Sequence, residues 1–334
     1  MVDSQHKPLL PRRSVLIAPF AAVSCAFRSA APQGRPFLWQ DPGAVENFDF
    51  TNGPHGPDFA PKPPFRFVIE DLRGTSPKVF VTDAAGRTWR VKGGLEVRSE
   101  AFCTRLASAV GYYGEPTYFI PSGRIAGIAA LKRASGFIQN DGSFTYASFA
   151  RFEPGSRFLD DRSWTWSRNP FNGTPQLNGL KILVMLVSDW DNKDATNTIR
   201  GSNLGILERK NAAGADWIYF VDDWGQSLGR WGASYNETST FDCGSFLSQT
   251  GQFVTSASEA GIQFGYRGQH QRDFSDSIHR SDAAWLMRFL GRVTDNQLRA
   301  GLRASGAAPD EVACFVTALR ARIDQLAQTS TLAA

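Results

Sequence analysis

The sequence predicts an α+β fold in two parts, a small antiparallel sheet with one helix followed by a larger, mostly helical region. Short segments typical of strands follow one another between residues 65 and 152. Apolar residues at helical spacing mark the C-terminal part, most clearly in 309–326. With 334 residues, of which 42% are hydrophobic, the chain can form one large domain or two lobes that share a cleft.

Composition and charge argue against several classes of protein. The net formal charge is only +4, and without a basic stripe interleaved with aromatic residues we expect no nucleic-acid partner. Beyond the N-terminus, no stretch approaches the roughly 18 uninterrupted apolar residues that span a bilayer. The cysteines form no C-x-x-C or Cys/His cluster, which disfavours structural zinc. Cys103 is expected to be buried, whereas Cys243 and Cys314 could pair in an oxidising compartment.

Residues 1–31 are interpreted as a signal segment. Basic residues ending in Arg12-Arg13 precede the apolar run 15–23, and small residues follow it, which is the usual order of a secretory signal. The double arginine also resembles a twin-arginine signal, and Ala22-Val-Ser-Cys25 resembles a lipobox, so Cys25 is a candidate lipid anchor. We therefore expect an exported protein, periplasmic or in the cell envelope, with membrane contact only through this segment. The alternative is an ordinary cytoplasmic N-terminus.

Residues 32–64 are rich in Pro, Gly and Asp, which predicts a linker or an irregular surface wrap rather than a domain. Trp39, Phe48 and Phe50 are candidate anchors for it. The first lobe is expected over 65–152 and the second over 153–334.

The first lobe is predicted from alternating strands and one helix. The strands are expected at 65–69, 78–81, 88–92, 118–120 and 144–152. Ser99 is the predicted N-cap of the helix, Glu100 suits its positive end, and Gly111 ends it. Apolar positions from Phe102 to Val110 fall on one stripe of this helix.

Three groups in the first lobe suit phosphate binding. One is a loop that offers backbone N–H groups and a cation to phosphates, formed by Gly74, Thr75, Ser76, Pro77 and Lys78. The others are Lys92 on a strand and Glu100 on the next helix, at a separation that allows the two side chains to pair. The alternative for this pair is an ordinary solvated ion pair.

Two Asp-rich islands mark the second lobe. The first, 188–197, follows the apolar helix 180–187, and the second, Asp222-Asp-Trp-Gly225, follows the strand 216–221. Phosphotransferases need an Asp near the attacking hydroxyl and carboxylate or amide ligands for Mg²⁺. The candidates are the catalytic Asp191, Lys193 to balance transferred charge, and the metal ligands Asn197 and Asp223, with Asp189, Asp194 and Asp222 left open as neighbours. The alternative is that both islands are polar turns.

The remaining second lobe is predicted as loops and helices, with one strand or extended piece at 262–266. Trp164 and Trp166 are expected in the core, and a capping box is expected at Thr294–Gln297. His270 and His279 are interpreted as exposed histidines that bind no metal.

The order of these segments resembles that of the HipA-type kinases. The resemblance is looser to the wider set of atypical kinases, which includes phosphoinositide lipid kinases, secretory-pathway kinases and spore-coat CotH kinases. It extends from Phe65 to Gly229 and is carried by the segments Gly74–Lys78, Trp89-Arg-Val-Lys92, Ser99–Ala107, Asp191-Asn-Lys193 with Asn197, and Asp223-Trp-Gly225.

The resemblance implies a two-lobed atypical kinase-like fold with ATP and Mg²⁺ in its cleft. Lys92 would contact the nucleotide phosphates and Glu100 would position it, while adenine would lie near the crossing at 149–154. Asp191 would be the catalytic aspartate, and Asn197 and Asp223 the metal ligands. The phosphoryl acceptor would be a hydroxyl of a protein or small molecule.

The chain departs from this family at two positions. Asp191-Asn-Lys193 stands where the family has Asp-Arg-His, and the metal-binding Asn comes one residue late, at 197. An exported protein would also work where ATP is scarce. The alternative is therefore an exported pseudokinase that binds a ligand or partner without transferring phosphate.

Unrelated Asp-rich proteins form a third class. The sequence does not contain the full pattern of an EF-hand Ca²⁺-binding loop, although Asp189-Trp-Asp191 matches the start of that pattern. Nothing in the sequence identifies the carboxylate pair of a glycan hydrolase.

Overall fold

The computed structural model describes residues 34–74, 76–191, 203–269 and 271–331, apart from the side chains of Asp273, Phe274 and Thr331. These residues form an α+β fold of eleven strands and seven α-helices, which confirms the predicted fold class. Several predictions fall outside the described residues, namely those for the segment 1–31 with Cys25, and for Thr75, Lys193, Asp194, Asn197 and His270.

The segment from Gly34 to Pro64 is attached to the rest of the chain by aromatic side chains and one short strand. Strand β1 (Arg35–Phe37) pairs in parallel with residues 216–218. The Trp39 ring packs against Trp285 and donates Nε1–H to the carbonyl of Val110 at 2.8 Å. Phe50 is buried and Phe48 packs beside it, so the predicted anchoring is confirmed.

Five strands close into a barrel instead of forming the simple antiparallel sheet predicted. Their bounds are β2 (Phe65–Asp71), β3 (Lys78–Thr82), β4 (Thr88–Gly93), β5 (Thr117–Ala126) and β6 (Ser143–Ala150), and their order is β2-β3-β4-β6-β5. The closing pair, β2 with β5, is parallel, whereas the other pairings are antiparallel. As in any β-strand, successive side chains of β4 point to opposite faces of the sheet. Trp89 and Val91 fill the barrel, and Arg90 and Lys92 lie on its outer face.

Helix α1 (Glu96–Ala109) lies between the barrel and the second part of the chain. It begins before the predicted N-cap, so the assignment of Ser99 to that role is wrong. Ser99 is instead fully buried and donates its hydroxyl to the carbonyl of Ser227 at 2.7 Å. Gly111, at φ +94°, follows the end of the helix as expected.

A second sheet and a long helix build the part that follows. Strand β7 (Ser156–Phe158), helix α2 (Pro175–Leu186), and strands β8 (Leu204–Asn211) and β9 (Gly214–Val221) come in that order, and the sheet runs β1-β9-β8-β7. Thr174 caps α2 by accepting the Leu177 N–H at 3.2 Å, and Pro175 occupies its first turn. The predicted apolar helix is therefore present and buried.

The C-terminal elements pack around α2. They are α3 (Cys243–Ser248), the hairpin β10 (Val254–Ser258) and β11 (Gly261–Phe264), α4 (Gln271–Ser275), α5 (Arg280–Leu290), α6 (Asp295–Ala304) and α7 (Pro309–Thr331). Thr294 and Gln297 form the predicted capping box of α6. The region is less purely helical than predicted, because it contains the hairpin and the four-stranded sheet.

Three hydrophobic clusters result among the described residues, the smallest of them on the four-stranded sheet at Leu207, Ile218 and Phe220. One fills the barrel, and the largest one joins α1, α2 and α5–α7 and includes Trp164, Trp166 and Cys103, all buried as expected. Cys243 and Cys314 form a disulfide between α3 and α7. Within the described residues, no helix combines the length and apolar character needed to cross a membrane.

Candidate functional site

The outer face of the barrel presents Lys92 to helix α1, where it meets Glu100. Lys92 Nζ donates to Glu100 Oε1 at 2.9 Å, and Glu100 Oε2 accepts the Ser148 hydroxyl at 3.2 Å. Ser148 lies opposite Lys92 in the β4–β6 register. Lys92 is 7% exposed and Glu100 1% exposed, so the predicted pair exists but is buried rather than solvated.

The turn after β9 brings Asp223 to the same lysine. Asp223 Oδ2 lies 3.9 Å from Lys92 Nζ, and Asp223 Oδ1 accepts the Gly225 N–H at 2.9 Å. A Cβ atom at Gly225 would lie 2.9 Å from that Oδ1 and 3.0 Å from Cβ of Glu96, so a larger residue here would have to displace Asp223 or Glu96. Burial opposes the charge of Lys92, but Asp223 and Glu100 outweigh it and raise the pKa of the lysine.

Arg90 is a second cation on this face that the sequence analysis missed. Its guanidinium bonds to Glu115 and lies 3.9 Å from Asp222 Oδ1. Arg90 stands two residues before Lys92 on a strand, so period-two alternation was a usable signal for it. Glu115 lies in the loop between α1 and β5, and no local pattern marks it.

The segment after α2 runs beside the Asp223 turn. The carbonyl of Val187 accepts the Leu228 N–H at 2.7 Å, and the Trp190 N–H approaches the carbonyl of Gln226 at 3.5 Å. These bonds place Asp189 and Asp191 in the electrostatic field of Asp223. Burial, and then the charge of Asp223, raise the pKa of Asp191 to about 6. Its Oδ1 accepts the Gln269 Nε2–H at 2.8 Å.

Two further carboxyl groups are affected in the same way. Burial raises the pKa of Asp189 well above its usual range, and the charges of Asp223 and Asp191 add to that shift. On the first turn of α1, burial and then Asp223 raise the pKa of Glu96, whose Oε2 accepts the Gln226 Nε2–H at 3.0 Å. The sequence analysis missed Glu96, although it precedes Glu100 by one helical turn.

Carboxylates therefore outnumber cations at this face. The two cations Lys92 and Arg90 are surrounded by Glu96, Glu100, Glu115, Asp222 and Asp223. Mutual repulsion and burial together explain why several of these acids hold their protons more tightly than usual. Such an arrangement is suited to receiving an additional cation.

The glycine-containing loop approaches the same region. Gly74 adopts φ +70°, and its carbonyl accepts a bond from Arg133 at 2.8 Å. Lys78 lies opposite Lys92 in the β3–β4 register, and its ammonium bonds to the carbonyl of Arg73. Burial, and beyond it the nearby cations Lys92 and Arg90, lower the pKa of Lys78. Ser76 lies near Glu96 and opposes the rise in the pKa of that carboxyl.

Of the two predicted Mg²⁺ ligands, Asp223 lies among the described residues. In the described part of the chain, no three His, Cys, Asp or Glu side chains are grouped as a metal site. Mg²⁺ normally takes one or two carboxylates and completes its shell with phosphates and water. Asp223 supplies hard oxygen donors, whereas the predicted ligand Asn197 and the predicted Lys193 lie outside the described residues.

Comparison with known proteins yields little. No protein-family model matches the chain, and no curated protein matches it. Among solved structures, the crystal structure of the Helicobacter pylori proinflammatory kinase CtkA is similar, with a TM-score of 0.45 and 11% sequence identity over 80% of this chain and 98% of that chain. Both values are low, so the function proposed below rests on the contacts of this chain.

Proposed function

We propose that the protein is an ATP- and Mg²⁺-dependent phosphotransferase of the atypical kinase-like type, with lobes at 65–152 and 153–334. The observation that carries the proposal is the buried lysine of β4, held between Glu100 of α1 and Asp223 of the turn after β9. Phosphotransferases use such a lysine and acidic turn on opposite sides of the nucleotide phosphates.

The cationic side of the site would bind the phosphates. Lys92 is held in one rotamer by Glu100, so little side-chain entropy remains to be lost when a phosphate binds. The loop at Gly74, Thr75, Ser76 and Lys78 would add backbone N–H groups and a second ammonium. Its proximity to Lys92 through the β3–β4 register supports this role.

The acidic side would hold the metal and accept the proton. Asp223, with Asn197, would ligate Mg²⁺, which when bound would neutralise charge on the transferred phosphoryl group. Asp191 would orient the acceptor hydroxyl and take its proton. A pKa of about 6 leaves Asp191 mostly ionised at neutral pH and close to the optimum for general-base catalysis. Lys193 would balance the charge that is transferred.

Calorimetric titration of residues 32–334 with ATP tests this proposal. We expect binding that requires Mg²⁺ and is lost in Lys92→Met and in Asp223→Asn. Lys62→Met is the matched control, because Lys62 is an exposed lysine paired with Asp58 at 3.8 Å. Its binding should equal that of the wild type. Release of ADP by the wild-type protein, and not by Asp191→Asn, would then establish phosphoryl transfer.

The same titration separates the alternatives. Binding of ATP without any need for Mg²⁺ would favour a pseudokinase that holds a ligand without transferring phosphate. No binding by the wild type at either condition would contradict the nucleotide site altogether.

We also propose that the protein acts outside the cytoplasm. The Cys243–Cys314 disulfide supports this, because disulfides persist mainly in oxidising compartments. Fractionation of expressing cells, with and without residues 1–31, tests it. Recovery of the full-length protein only from the cytoplasm would contradict it.

A further inference from the structure

Helix α7 carries a completely buried arginine far from the site in sequence. Arg322 is 0% exposed. Its guanidinium donates to four acceptors, which are Leu186 O at 2.8 Å, Ser188 Oγ at 2.7 Å, Phe246 O at 2.9 Å and Thr250 Oγ1 at 3.2 Å. Two of these acceptors lie at the end of α2, and two lie in or just after α3.

The charge of Arg322 has no carboxylate partner among the described residues. The aromatic rings of Phe246 and Trp231 lie 3.7 and 4.9 Å from its guanidinium carbon. Burial lowers the pKa of Arg322 well below its usual range. An apolar side chain would fill this space without that desolvation cost, so the hydrogen bonds to α2 and α3 are the feature that requires arginine.

The acceptors on α2 are at the point where the acidic segment begins. Leu186 is the last residue of the helix, and Ser188 has a left-handed backbone with φ +59°, which is unfavourable for a residue other than glycine. Arg322 holds both groups at once. The next carbonyl, that of Asp189, accepts the Tyr266 hydroxyl, and Asp191 follows.

We propose that Arg322 is a positioning residue that fixes the end of α2 and thereby sets where Asp191 lies relative to Asp223. The disulfide reinforces this arrangement. Cys314 precedes Arg322 on α7, and Cys243 precedes Phe246 on α3, so the cross-link fixes the two helices that meet at the guanidinium. The importance of Asp191 rests on the proposed function, whereas the positional effect of Arg322 does not.

Hydrogen exchange and the titration of Asp191 test this inference together. The variants are Arg322→Lys and Arg322→Met, with Arg320→Met as the control. Arg320 lies on the same helix but bonds to Asp295 and to the carbonyl of Val293. In folded Arg322 variants we expect amide exchange at 187–189 to rise by about tenfold or more, and the pKa of Asp191 to move from about 6. Arg320→Met should change neither.

Unchanged exchange at 187–189 and an unchanged Asp191 titration in a folded Arg322 variant would overturn the proposal. If neither Arg322 variant folds, Ser188→Ala, which removes one acceptor, carries the same two readouts and the same two outcomes. If the readouts move as expected while the wild type binds no nucleotide, Arg322 keeps its role and the kinase function fails. The two proposals can therefore be rejected separately.

Discussion

Two acidic groups of this protein, the buried Asp83 and the part-buried Asp191, have opposite environments. Asp83, in the turn between β3 and β4, has a side chain with no exposed surface. It accepts bonds from Arg87 Nε at 2.8 Å and Trp89 Nε1 at 3.0 Å, as well as from backbone N–H groups. Burial alone would raise the pKa of Asp83, but these bonds lower it to about 2. Its charge is fully compensated.

The environment of Asp191, which is only part-buried, is different. Among the described residues it accepts one side-chain bond, from Gln269, and it faces the like charge of Asp223. Burial and that charge raise the pKa of Asp191 to about 6. In the turn at Asp83, hydrogen bonds compensate the charge of the carboxylate. In the cluster around Asp223, the acids repel one another and so lower the stability of the fold. Perturbed acids of this kind concentrate where a protein binds or transforms something.

Removal of the compensated acid should have the largest effect on stability. Asp83→Ala leaves Arg87 and Trp89 without their acceptor, so we expect the free energy of unfolding to fall by about 3 kcal/mol. Urea denaturation at pH 7 measures it. Because the folded pKa of Asp83 is depressed, its contribution is present above about pH 4 and is lost as the pH falls toward about 2.

The control for this change is Asp58→Ala, since Asp58 is fully exposed and makes one 3.8 Å pair with Lys62. This substitution should leave the free energy of unfolding almost unchanged, because exposed ion pairs contribute little. If the two substitutions lowered the free energy of unfolding equally, the hydrogen bonds of Asp83 would not stabilise the fold more than an exposed ion pair does.

A methyl group at Gly225 tests the acidic cluster by geometry rather than charge. Gly225→Ala would press on Asp223 Oδ1 and on Glu96. We expect affinity for Mg²⁺·ATP to fall by about tenfold, or about 1.4 kcal/mol. Gly251→Ala is the matched control, because no atom lies within 4 Å of the added carbon. If both variants bind Mg²⁺·ATP as the wild type does, Asp223 is not the metal ligand.

Neutralisation of Asp191 should stabilise the unliganded protein. Its folded pKa is raised, so stability falls as the pH rises from about 4 to about 6, and the uncharged amide of Asp191→Asn would avoid that loss. At pH 8 we expect the free energy of unfolding of this variant to exceed that of the wild type by about 1 kcal/mol, after allowance for solvent screening. At pH 4 the two should be equal. A variant less stable than the wild type at pH 8 would contradict the excess of negative charge.

Local patterns predicted the residues that lie on regular elements. Lys92 followed from a strand, Glu100 from the next helix, and Asp223 from a turn that ends a strand; all three meet at one point. The period-two alternation of strand residues also places Arg90 on the same face as Lys92, but the sequence analysis did not include Arg90 in the site. The predicted Ser99 cap was wrong, because α1 already begins at Glu96 and the Ser99 hydroxyl bonds to the distant carbonyl of Ser227.

Long-range contacts could not be predicted in the same way. The barrel closes through a parallel pairing of β2 with β5, two strands that are remote in sequence and carry no signal for each other. Glu115, Gln269 and Arg322 reach the site from loops and from the last helix. Their roles depend on tertiary packing alone. Pairing of Cys243 with Cys314 was foreseen only as one possibility among scattered cysteines.

The central claim is that burial and mutual repulsion make the acidic cluster hold protons that it releases when Mg²⁺·ATP binds. Calorimetric titration with preformed Mg²⁺·ATP at pH 6, in two buffers of different ionisation enthalpy, measures protons exchanged on binding. Since a bound cation lowers the pKa of a neighbouring carboxyl, the wild type should release protons at pH 6. Asp191→Asn should release fewer. Binding with no proton release at pH 6, or with equal release by the variant, would contradict the claim.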